Sequence, residues 1–420
     1  MNIKLIIALL ITSSISFSQS LQDYYNKARE AYQQKDYLLF YENISKSAEL
    51  HPYHQGILYQ KAIAATLTQK PEEAVALLQK AILMNASFDL TVDDLKSLQE
   101  RKDFQSVLEL QQALKKPIAT SDTAFVLPDR QLHAEGISVG LKPGTFFVTS
   151  IHKRKVIYID ETGQTSDFIV SKQDGLGATM SVKADAKTKT LWVASVNTPE
   201  MIDYDSTLTS SVYQYDLRTK KLLNRYATND EIKDSFFGDL ILTRNGRVLI
   251  SDSKNNIIFT VNTSTQELEP FFSSETFWNI QGISFSDDER FLFIADYIKG
   301  IYRLNMETKE LVAISSDAVI ALKGIDGLLY HKNSLIVIQN GIAPMRVVQL
   351  RLNHEHDRII SAYTLDHAHP SFNEPTNGCV VNNELYYIAN SQWNGYDDKK
   401  KIKPDDQLQD IIVLKTSLTR

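Results

Sequence analysis

The chain is poor in cysteine, with Cys379 as the only one in 420 residues. A single cysteine excludes a disulfide within the chain, so the fold must rest on packing and hydrogen bonds. It also excludes a site built from several thiolates, as structural zinc requires. Because Cys379 stands beside Val380 and Val381 in a strand pattern, we expect it to be buried in the core rather than catalytic.

The chain also lacks an excess of basic residues and long apolar runs. Lys and Arg number 45 against 51 Asp and Glu, which gives a formal net charge of −6. Nucleic-acid binding requires a basic surface to displace phosphate counterions, so we exclude that class of partner. After the N-terminal leader, no segment approaches the ~20 apolar residues that span a bilayer, and we therefore predict no transmembrane anchor.

The first 18 residues have the pattern of a secretory signal peptide. Lys4 precedes an apolar run over residues 5–11, and a serine-rich stretch ends in Ser16 and Ser18. Small residues at these two positions fit the cleavage rule, which places the mature start at Gln19. We expect cleavage after Ser18 and a secreted or periplasmic protein.

Residues 19–114 have the apolar spacing of helices, with a repeat at an interval of 34 residues. Pro52 closes the first window, and a shorter unit from Val92 to Leu114 follows as a cap. The pattern resembles the tetratricopeptide repeat, a helical hairpin whose small residues let two helices touch. Such a domain implies either a groove for a protein partner or a packed extension, and it should dock on a neighbour. The aligned pairs are Ala28 with Ala62, Phe40 with Ala74, Ile44 with Leu78, and Ser47 with Ala81.

From residue 122, after a linker over 115–121, the apolar period becomes two, as in strands. A turn followed by an apolar strand recurs six times, at intervals of 43, 60, 43, 45 and 51 residues from Ile137. This is the period of a four-stranded propeller blade. We predict a mainly β protein, a six-bladed β-propeller over 122–420 behind an all-α domain. Residues 123–127 should supply the outer strand of the last blade and close the ring. The second strands are predicted at 146–150, 191–195, 248–252, 292–296, 335–339 and 385–390.

The residue before each repeated glycine should point at the mouth of the central channel. Four of the six positions carry a side-chain oxygen, and two of these are carboxylates. Converging carboxylate and amide oxygens suit a hard cation, Ca²⁺ in preference to Mg²⁺ or Mn²⁺, rather than Zn²⁺. The alternative is a solvated entrance that holds only water. The positions are Glu135, Ala178, Gly238, Gln281, Asp326 and Asn377, with Asp239 one residue further on.

These turns resemble those of the senescence-marker-protein/gluconolactonase family, six-bladed propellers that bind a divalent metal at the channel mouth and open lactones. Glu135-Gly136 matches the family's first metal ligand, and Asp326-Gly327 matches its catalytic aspartate. The third-blade ligand is replaced by Gly238, with Asp239 kept beside it, and the fourth-blade amide is the longer Gln281. The resemblance implies that Glu135 anchors the ion and that Asp326 acts as the base, with Asn377 as a replacement ligand.

Two long loops, at 197–211 and 391–409, are expected on the same face as Glu135 and Asp326. Their apolar side chains could cover a ligand, and Trp278 should lie on that face too. The alternative is that these side chains pack on one another. The predicted ligand-binding residues are Met201, Tyr204, Trp278, Trp393 and Tyr396.

Two functional classes therefore remain open. One is a metal-dependent hydrolase of lactones or esters, and the other is a non-catalytic binding module of the cell envelope. The second would hold a sugar-like ligand in the propeller or a protein partner on the helical repeats. Propellers serve both roles, so the fold does not decide between them.

Overall fold

The computed structural model describes residues 20–228, 232 and 234–418. The predicted signal peptide at 1–18 and the mature start at Gln19 lie outside these residues. By its internal contacts the chain divides into two compact units. The first holds residues 20–81 and Phe88–Leu108, and the second holds Ile82–Ser87 with 109–418. Within the described chain, no helix combines the length and the apolar character that a membrane span requires.

The described N-terminal part is helical, as its apolar spacing predicted. Ser20 caps the first helix through a capping box with Asp23, and Pro71 opens the fourth helix, where its missing N–H is not needed. Ala28 and Ala62, which the interval of 34 residues aligned, are both buried. The helices are α1 (Leu21–Gln33), α2 (Tyr37–Leu50), α3 (Gln55–Leu67), α4 (Pro71–Met84), a 3₁₀-helix (Asp93–Leu98) and α5 (Lys102–Lys115).

The rest of the described chain is built of antiparallel strands. The predicted second strands are confirmed to within two residues as β4, β8, β12, β16, β21 and β25, and most are buried on both faces. The strands are β1 (Ile118–Ala119), β2 (Asp122–Leu127), β3 (Ala134–Val139), β4 (Phe146–Ser150), β5 (Lys155–Ile159), β6 (Thr165–Ile169), β7 (Ala178–Asp185), β8 (Thr190–Val196), β9 (Ser211–Asp216), β10 (Leu222–Ala227), β11 (Phe237–Leu242), β12 (Val248–Asp252), β13 (Ile257–Asn262), β14 (Glu267–Ser273), β15 (Ile280–Phe285), β16 (Phe291–Asp296), β17 (Gly300–Asn305), β18 (Leu311–Ala313), β19 (Ser315–Ser316), β20 (Ile325–His331), β21 (Ser334–Gln339), β22 (Arg346–Leu352), β23 (Arg358–His367), β24 (Gly378–Val381), β25 (Glu384–Ile388) and β26 (Ile411–Ser417).

The strands pair as successive up-and-down meanders. Three sheets have four strands, β3–β6, β15–β18, and β24–β26 with β2. Strands β7–β10 and β11–β14 share one eight-stranded sheet through a single parallel pair, Ala227 with Glu267. Strands β20–β23 form the fifth meander, to which β1 and β19 add at the edge. The expected closure by residues 123–127 is confirmed, because β2 pairs with β26.

The first strand of each meander contacts the first strand of the next. The contacts run from β3 through β7, β11, β15 and β20 to β24, and β24 returns to contact β3. This closed ring of first strands gives a propeller-like arrangement around a central channel. Apolar clusters fill the spaces between neighbouring sheets, such as the one that contains Phe237 and Phe259. Cys379 is buried in another of these clusters, as predicted.

Candidate functional site

A β-bulge interrupts five of the first strands near the end that leads into the channel. In β3 the register shifts between Ala134 and Ile137, which releases Glu135 from regular pairing. In β20 the shift falls between Ile325 and Gly327, which releases Asp326. A bulge turns a side chain away from the regular alternation of the strand. In β7 the shift surrounds Met180, so Met180 occupies this position and the assignment of Ala178 to it was wrong.

Glu135 and Asp326 meet at one threonine hydroxyl. Thr376 Oγ1 lies 2.8 Å from Glu135 Oε1 and 3.1 Å from Asp326 Oδ2. The other oxygen of Glu135 accepts a hydrogen bond from Ser391 Oγ at 2.5 Å. Two carboxyl groups from separate sheets are thus held in one hydrogen-bonded cluster. Hydroxyl donors from the segment before β24 (Thr376) and from the loop after β25 (Ser391) complete it.

Two further side chains fix the orientation of Asp326. Asn340 Nδ2 donates to Asp326 Oδ2 at 2.7 Å, and the Tyr297 hydroxyl donates to Asn340 Oδ1 at 2.9 Å. Tyr297 directly follows β16, and Asn340 directly follows β21. The Tyr297 ring packs closely on Gly341, where a Cβ would lie 2.5 Å from the hydroxyl oxygen. This relay holds Oδ2 in place and leaves Oδ1 outside all hydrogen bonds among the described residues.

Burial favours the protonated form of these carboxyl groups. It raises the pKa of Glu135 to about 8, and the negative charge of Asp326 adds to the effect. Burial also raises the pKa of Asp326 to about 6, although the hydrogen bonds from Asn340 and Thr376 oppose the rise. The pKa of Glu374 is raised by burial as well. Such a cluster needs a proton or a cation to offset its charge near neutral pH.

A cavity of about 270 Å³ opens above this cluster. Its wall combines carboxyl, amide and phenol oxygens with three large apolar side chains, as small-molecule sites commonly do. Among the described residues, nowhere do three or more His, Cys, Asp or Glu side chains gather as a metal site made of these residues alone would require. A cation here would need amide oxygens as well. The lining residues are Glu135, Met180, Phe236, Gln281, Tyr297, Asp326, Asn340, Glu374 and Trp393.

The long side chain of Gln281 occupies space that Gly238 leaves open. A Cβ on residue 238 would lie 2.7 Å from Gln281 Oε1, closer than real Cβ contacts allow. Gln281 Nε2 donates to Asn279 Oδ1 at 2.7 Å, which fixes the amide orientation. Gly238 and Gln281 are therefore a matched pair. The Gln281 amide oxygen, from β15, occupies the place that a side chain at residue 238 of β11 would take.

Two predicted ligands lie elsewhere. Asp239 is buried, and its carboxylate accepts hydrogen bonds from Ser181 Oγ and from the backbone N–H groups of Leu240 and Ile283. It lines a second cavity at the opposite end of the first strands. Asn377 is buried too, and its backbone carbonyl accepts from Ile388. The side chain that reaches the two carboxyl groups is that of Thr376, one residue earlier.

The five predicted ligand-binding side chains divide between the cavity and the surrounding packing. Trp393 lines the cavity, with its ring 4.5 Å from that of His133 at an interplanar angle of 88°. Tyr396 is buried and lies 2.7 Å from His133 Nδ1 through its hydroxyl oxygen. Met201 is buried in a core cluster, which is the packing alternative stated above.

The remaining two side chains of that set are on the surface. Tyr204 is 48% exposed and lines a different cavity, formed by the loop that joins β8 to β9 and by residues that precede β11. Trp278 is 36% exposed and carries the Lys299 ammonium 4.3 Å from its ring centre. The structure thus brings one of the five, Trp393, to the wall of the cavity that contains Glu135 and Asp326.

The two long loops are joined by an ion pair. Lys400 Nζ lies 2.9 Å from Glu200 Oε1. Glu200 is buried, and its Oε2 accepts a hydrogen bond from the Thr198 hydroxyl. Burial raises the pKa of Glu200, but the hydrogen bonds from Thr198 and Lys400 outweigh this effect, so its pKa is lowered. The pair connects the loop before β9 with the loop that carries Ser391 and Trp393.

Comparisons with known proteins bear on the fold alone. No protein-family model matches the chain, and no curated protein matches it. Similar solved structures include regucalcin from Agrobacterium tumefaciens, a calcium-binding protein (14% identity, 70% of this chain and 93% of that chain, TM-score 0.49). They also include a candidate gluconolactonase (12%, 71% and 91%, 0.46) and the PQQ-bound aldose sugar dehydrogenase of Streptomyces coelicolor (12%, 71% and 99%, 0.46).

Proposed function

We propose that this protein is a divalent-cation-dependent hydrolase of lactones or related esters, acting in the cavity above Glu135 and Asp326. The observation that carries the proposal is a pair of carboxyl groups, the buried Glu135 and the partly buried Asp326, that contact one hydroxyl, Thr376, at the cavity wall. Hydrolysis needs a positioned base beside a group that stabilises developing negative charge. The carboxyl pair supplies the base, and its negative charge would attract the cation that stabilises the developing negative charge.

The residues present fit a hard cation by the chemistry of their donors. Glu135, Asp326 and the Gln281 carbonyl oxygen would hold it. Oxygen donors suit Ca²⁺, Mg²⁺ and Mn²⁺ rather than Zn²⁺, and Ca²⁺ is the ion that we propose. A bound cation would polarise the substrate carbonyl. Asp239 and Asn377 are not part of the proposed set, because neither of them lines this cavity.

Asp326 is the proposed base. Asn340 and Tyr297 hold its Oδ2, so Oδ1 is the atom that can accept a proton from water or alcohol. Glu135, on β3, would anchor the cation, and its two hydrogen bonds from Thr376 and Ser391 keep its carboxyl group in one orientation. Trp393 forms part of the apolar wall against which a substrate ring would rest.

Three further parts of the proposal come from the sequence. We infer six blades, counting the eight-stranded sheet as two, since each half is a four-stranded meander. We infer export through the leader at 1–18. The helices over 19–114 are assigned to a tetratricopeptide-like domain, joined by residues 115–121 to the propeller at 122–420.

The test is a screen of lactones and esters with added Ca²⁺, Mg²⁺ or Mn²⁺, followed by Asp326→Asn. We expect turnover by the wild-type protein and a loss of about 100-fold or more in kcat for Asp326→Asn. Asp317→Asn, a change at an exposed aspartate, is the control and should leave turnover unchanged. Equal turnover by wild type and Asp326→Asn would remove Asp326 as the base.

The second candidate function, a binding module, is favoured by a cavity in the helical unit. It measures about 180 Å³ and is bordered by the exposed residues Tyr25, Arg29 and Tyr32 beside buried Phe40. Aromatic and arginine side chains are the ones enriched in protein-binding surfaces. If this unit binds a protein, wild type should capture that partner from envelope extracts, and the double variant Tyr25→Ala with Arg29→Ala should not capture it. Undiminished capture would remove this surface as the binding site.

A further inference from the structure

The channel has a second cavity, at the end opposite Glu135 and Asp326. It measures about 370 Å³ and is formed by the ends of all six first strands, β3, β7, β11, β15, β20 and β24. This volume lies within the range of about 300–1,000 Å³ that small-molecule sites occupy. Most of the wall is apolar, with Ile241, Leu242, Ile283, Phe285, Leu329 and Val380.

One cationic side chain, Lys183, lines this cavity among the described residues. Its Nζ lies 3.8 Å from Asp239 Oδ1, which is beyond hydrogen-bond distance, and its side chain is 21% exposed. Asp239 already accepts three hydrogen bonds, from Ser181, Leu240 and Ile283. Because the Lys183 ammonium takes part in no hydrogen bond among the described residues, its three N–H groups are available to an anion.

A second donor lies in the same wall. The Ser284 hydroxyl oxygen accepts from the backbone N–H of Tyr330 at 2.9 Å. Its own hydrogen is used in no bond between described residues, so the hydroxyl can donate to a ligand. An ammonium and a hydroxyl together suit a single carboxylate group, whereas the surrounding apolar wall disfavours a small multiply charged ion.

We propose that this cavity binds a monocarboxylate with an apolar chain, of the medium-chain fatty-acid class. The carboxylate pairs with Lys183 and accepts from Ser284, and the chain lies against Ile241, Phe285 and Leu329. Lys183 forms an ion pair with Asp239 at 3.8 Å but no hydrogen bond. Because Asp239 takes its hydrogen bonds from Ser181, Leu240 and Ile283, the Lys183 N–H groups can donate to the ligand carboxylate. The site is separate from the carboxyl cluster and does not depend on the hydrolase proposal.

The test is calorimetric titration of octanoate into the full-length protein in the presence of a chelator. We expect saturable binding to the wild-type protein and a dissociation constant at least about tenfold higher for Lys183→Met, because a charge-assisted hydrogen bond is lost. Lys187→Met, at the exposed turn after β7, is the matched control and should bind as wild type does. No saturable binding, or equal binding of octanoate by Lys183→Met, would overturn the proposal.

Two further measurements locate the ligand. Ala184→Leu fills the cavity but keeps Lys183, so it should also abolish octanoate binding. Cys379, the only cysteine in the chain, lies in the wall. Bound octanoate should slow its modification by a maleimide at least about threefold, and this protection should disappear in Lys183→Met. An unchanged modification rate under saturating octanoate, or equal binding of octan-1-ol and octanoate, would contradict a carboxylate site here.

Discussion

Glu135 combines deep burial with a carboxyl group that has only hydroxyl donors, Thr376 and Ser391, as hydrogen-bond partners. No lysine or arginine is among these partners in the described chain. Glu135 therefore prefers its protonated form, and a bound cation would reverse this preference by stabilising the carboxylate. The same residue should therefore link stability, pH and metal binding.

The pH dependence of stability follows from the direction of this pKa shift. The folded-state pKa of Glu135 is raised from 4.5 to about 8, so its contribution to the free energy of unfolding is full below pH 4.5. It is lost progressively as the pH rises from 4.5 to about 8, because the unfolded state gives up its proton in this range while the folded state keeps it. In chelator, wild type should lose roughly 3 kcal/mol more of its free energy of unfolding than Glu135→Gln between pH 5 and pH 8.

Urea denaturation of the two proteins at both pH values measures this difference. The comparison isolates Glu135 from other buried groups, such as His133, whose pKa is lowered to about 3 by burial. Glu267→Gln, at an exposed position of β14, is the control and should follow wild type. A pH effect on Glu135→Gln equal to that on wild type would show that Glu135 is ionised in the folded protein throughout.

Single residues of the site differed in how well the sequence predicted them. Glu135 and Asp326 could be predicted from the sequence because each precedes a repeated glycine, and this glycine marks the bulge. Thr376 was missed because Asn377, the next residue, is the one before Gly378. Only the side-chain hydrogen bonds in the structure show that Thr376 reaches the carboxyl groups. Tyr297 and Asn340 each directly follow a second strand, a recurring position that could have been searched.

At the scale of elements, the bulges and the two long loops shape the cavity. Five bulges turn one residue of each first strand toward the channel, and the loop after β25 brings Ser391 and Trp393 over it. In the exposed run Lys399–Lys401, Lys400 pairs with the buried Glu200 of the other long loop.

Breaking that ion pair should loosen both loops. Lys400→Met leaves the Glu200 carboxylate with only the Thr198 hydroxyl as a side-chain partner. We expect hydrogen–deuterium exchange over 197–210 and 391–409 to rise about fivefold, which corresponds to ~1 kcal/mol for a partly exposed pair. Lys399→Met is the matched control, since the Lys399 side chain is exposed. Equal exchange in both variants would mean that the pair does not hold the loops.

The register of the strands explains why element-level prediction was only partly successful. The period of about 43 to 60 residues located all the second strands, because these are almost wholly apolar and buried. It did not locate the bulge in β7, where Ala178 and Met180 are both apolar and either fits the pattern. Only the pairing of Thr179 with Ser195 and of Ser181 with Ala194 identifies Met180.

At the scale of the whole molecule, the ring of sheets is closed by the segment that precedes it. β2 pairs with β26, and the buried carboxylate of Asp366 accepts hydrogen bonds from the backbone of Thr120 and Ser121 and from the Tyr387 hydroxyl. One side chain in β23 thus joins the incoming segment to the last sheet. Closure was predictable from the missing outer strand, but Asp366 was not, since nothing in its local sequence distinguishes it.

Asp366→Ala should destabilise the propeller-like unit strongly. Four donors, the backbone N–H groups of Thr120 and Ser121 and the hydroxyls of Ser121 and Tyr387, would lose a buried acceptor. We therefore expect a fall of about 3 kcal/mol or more in the free energy of unfolding. Asp317→Ala, which removes an exposed ion pair with Arg358, should cost less than ~1 kcal/mol. Urea denaturation followed by tryptophan fluorescence measures both. Similar small losses for the two variants would contradict a closing role for Asp366.

The most direct test of the proposed function is calorimetric titration of Ca²⁺, Mg²⁺ and Mn²⁺ into chelator-treated protein at pH 8. Glu135→Gln and Asp326→Asn are compared with wild type, and Glu267→Gln serves as the control. The account predicts saturable binding to wild type and to the control, with a dissociation constant at least about tenfold higher in each of the other two variants. Absence of saturable binding to wild type, or binding of equal strength by all four proteins, would contradict a cation site at Glu135 and Asp326.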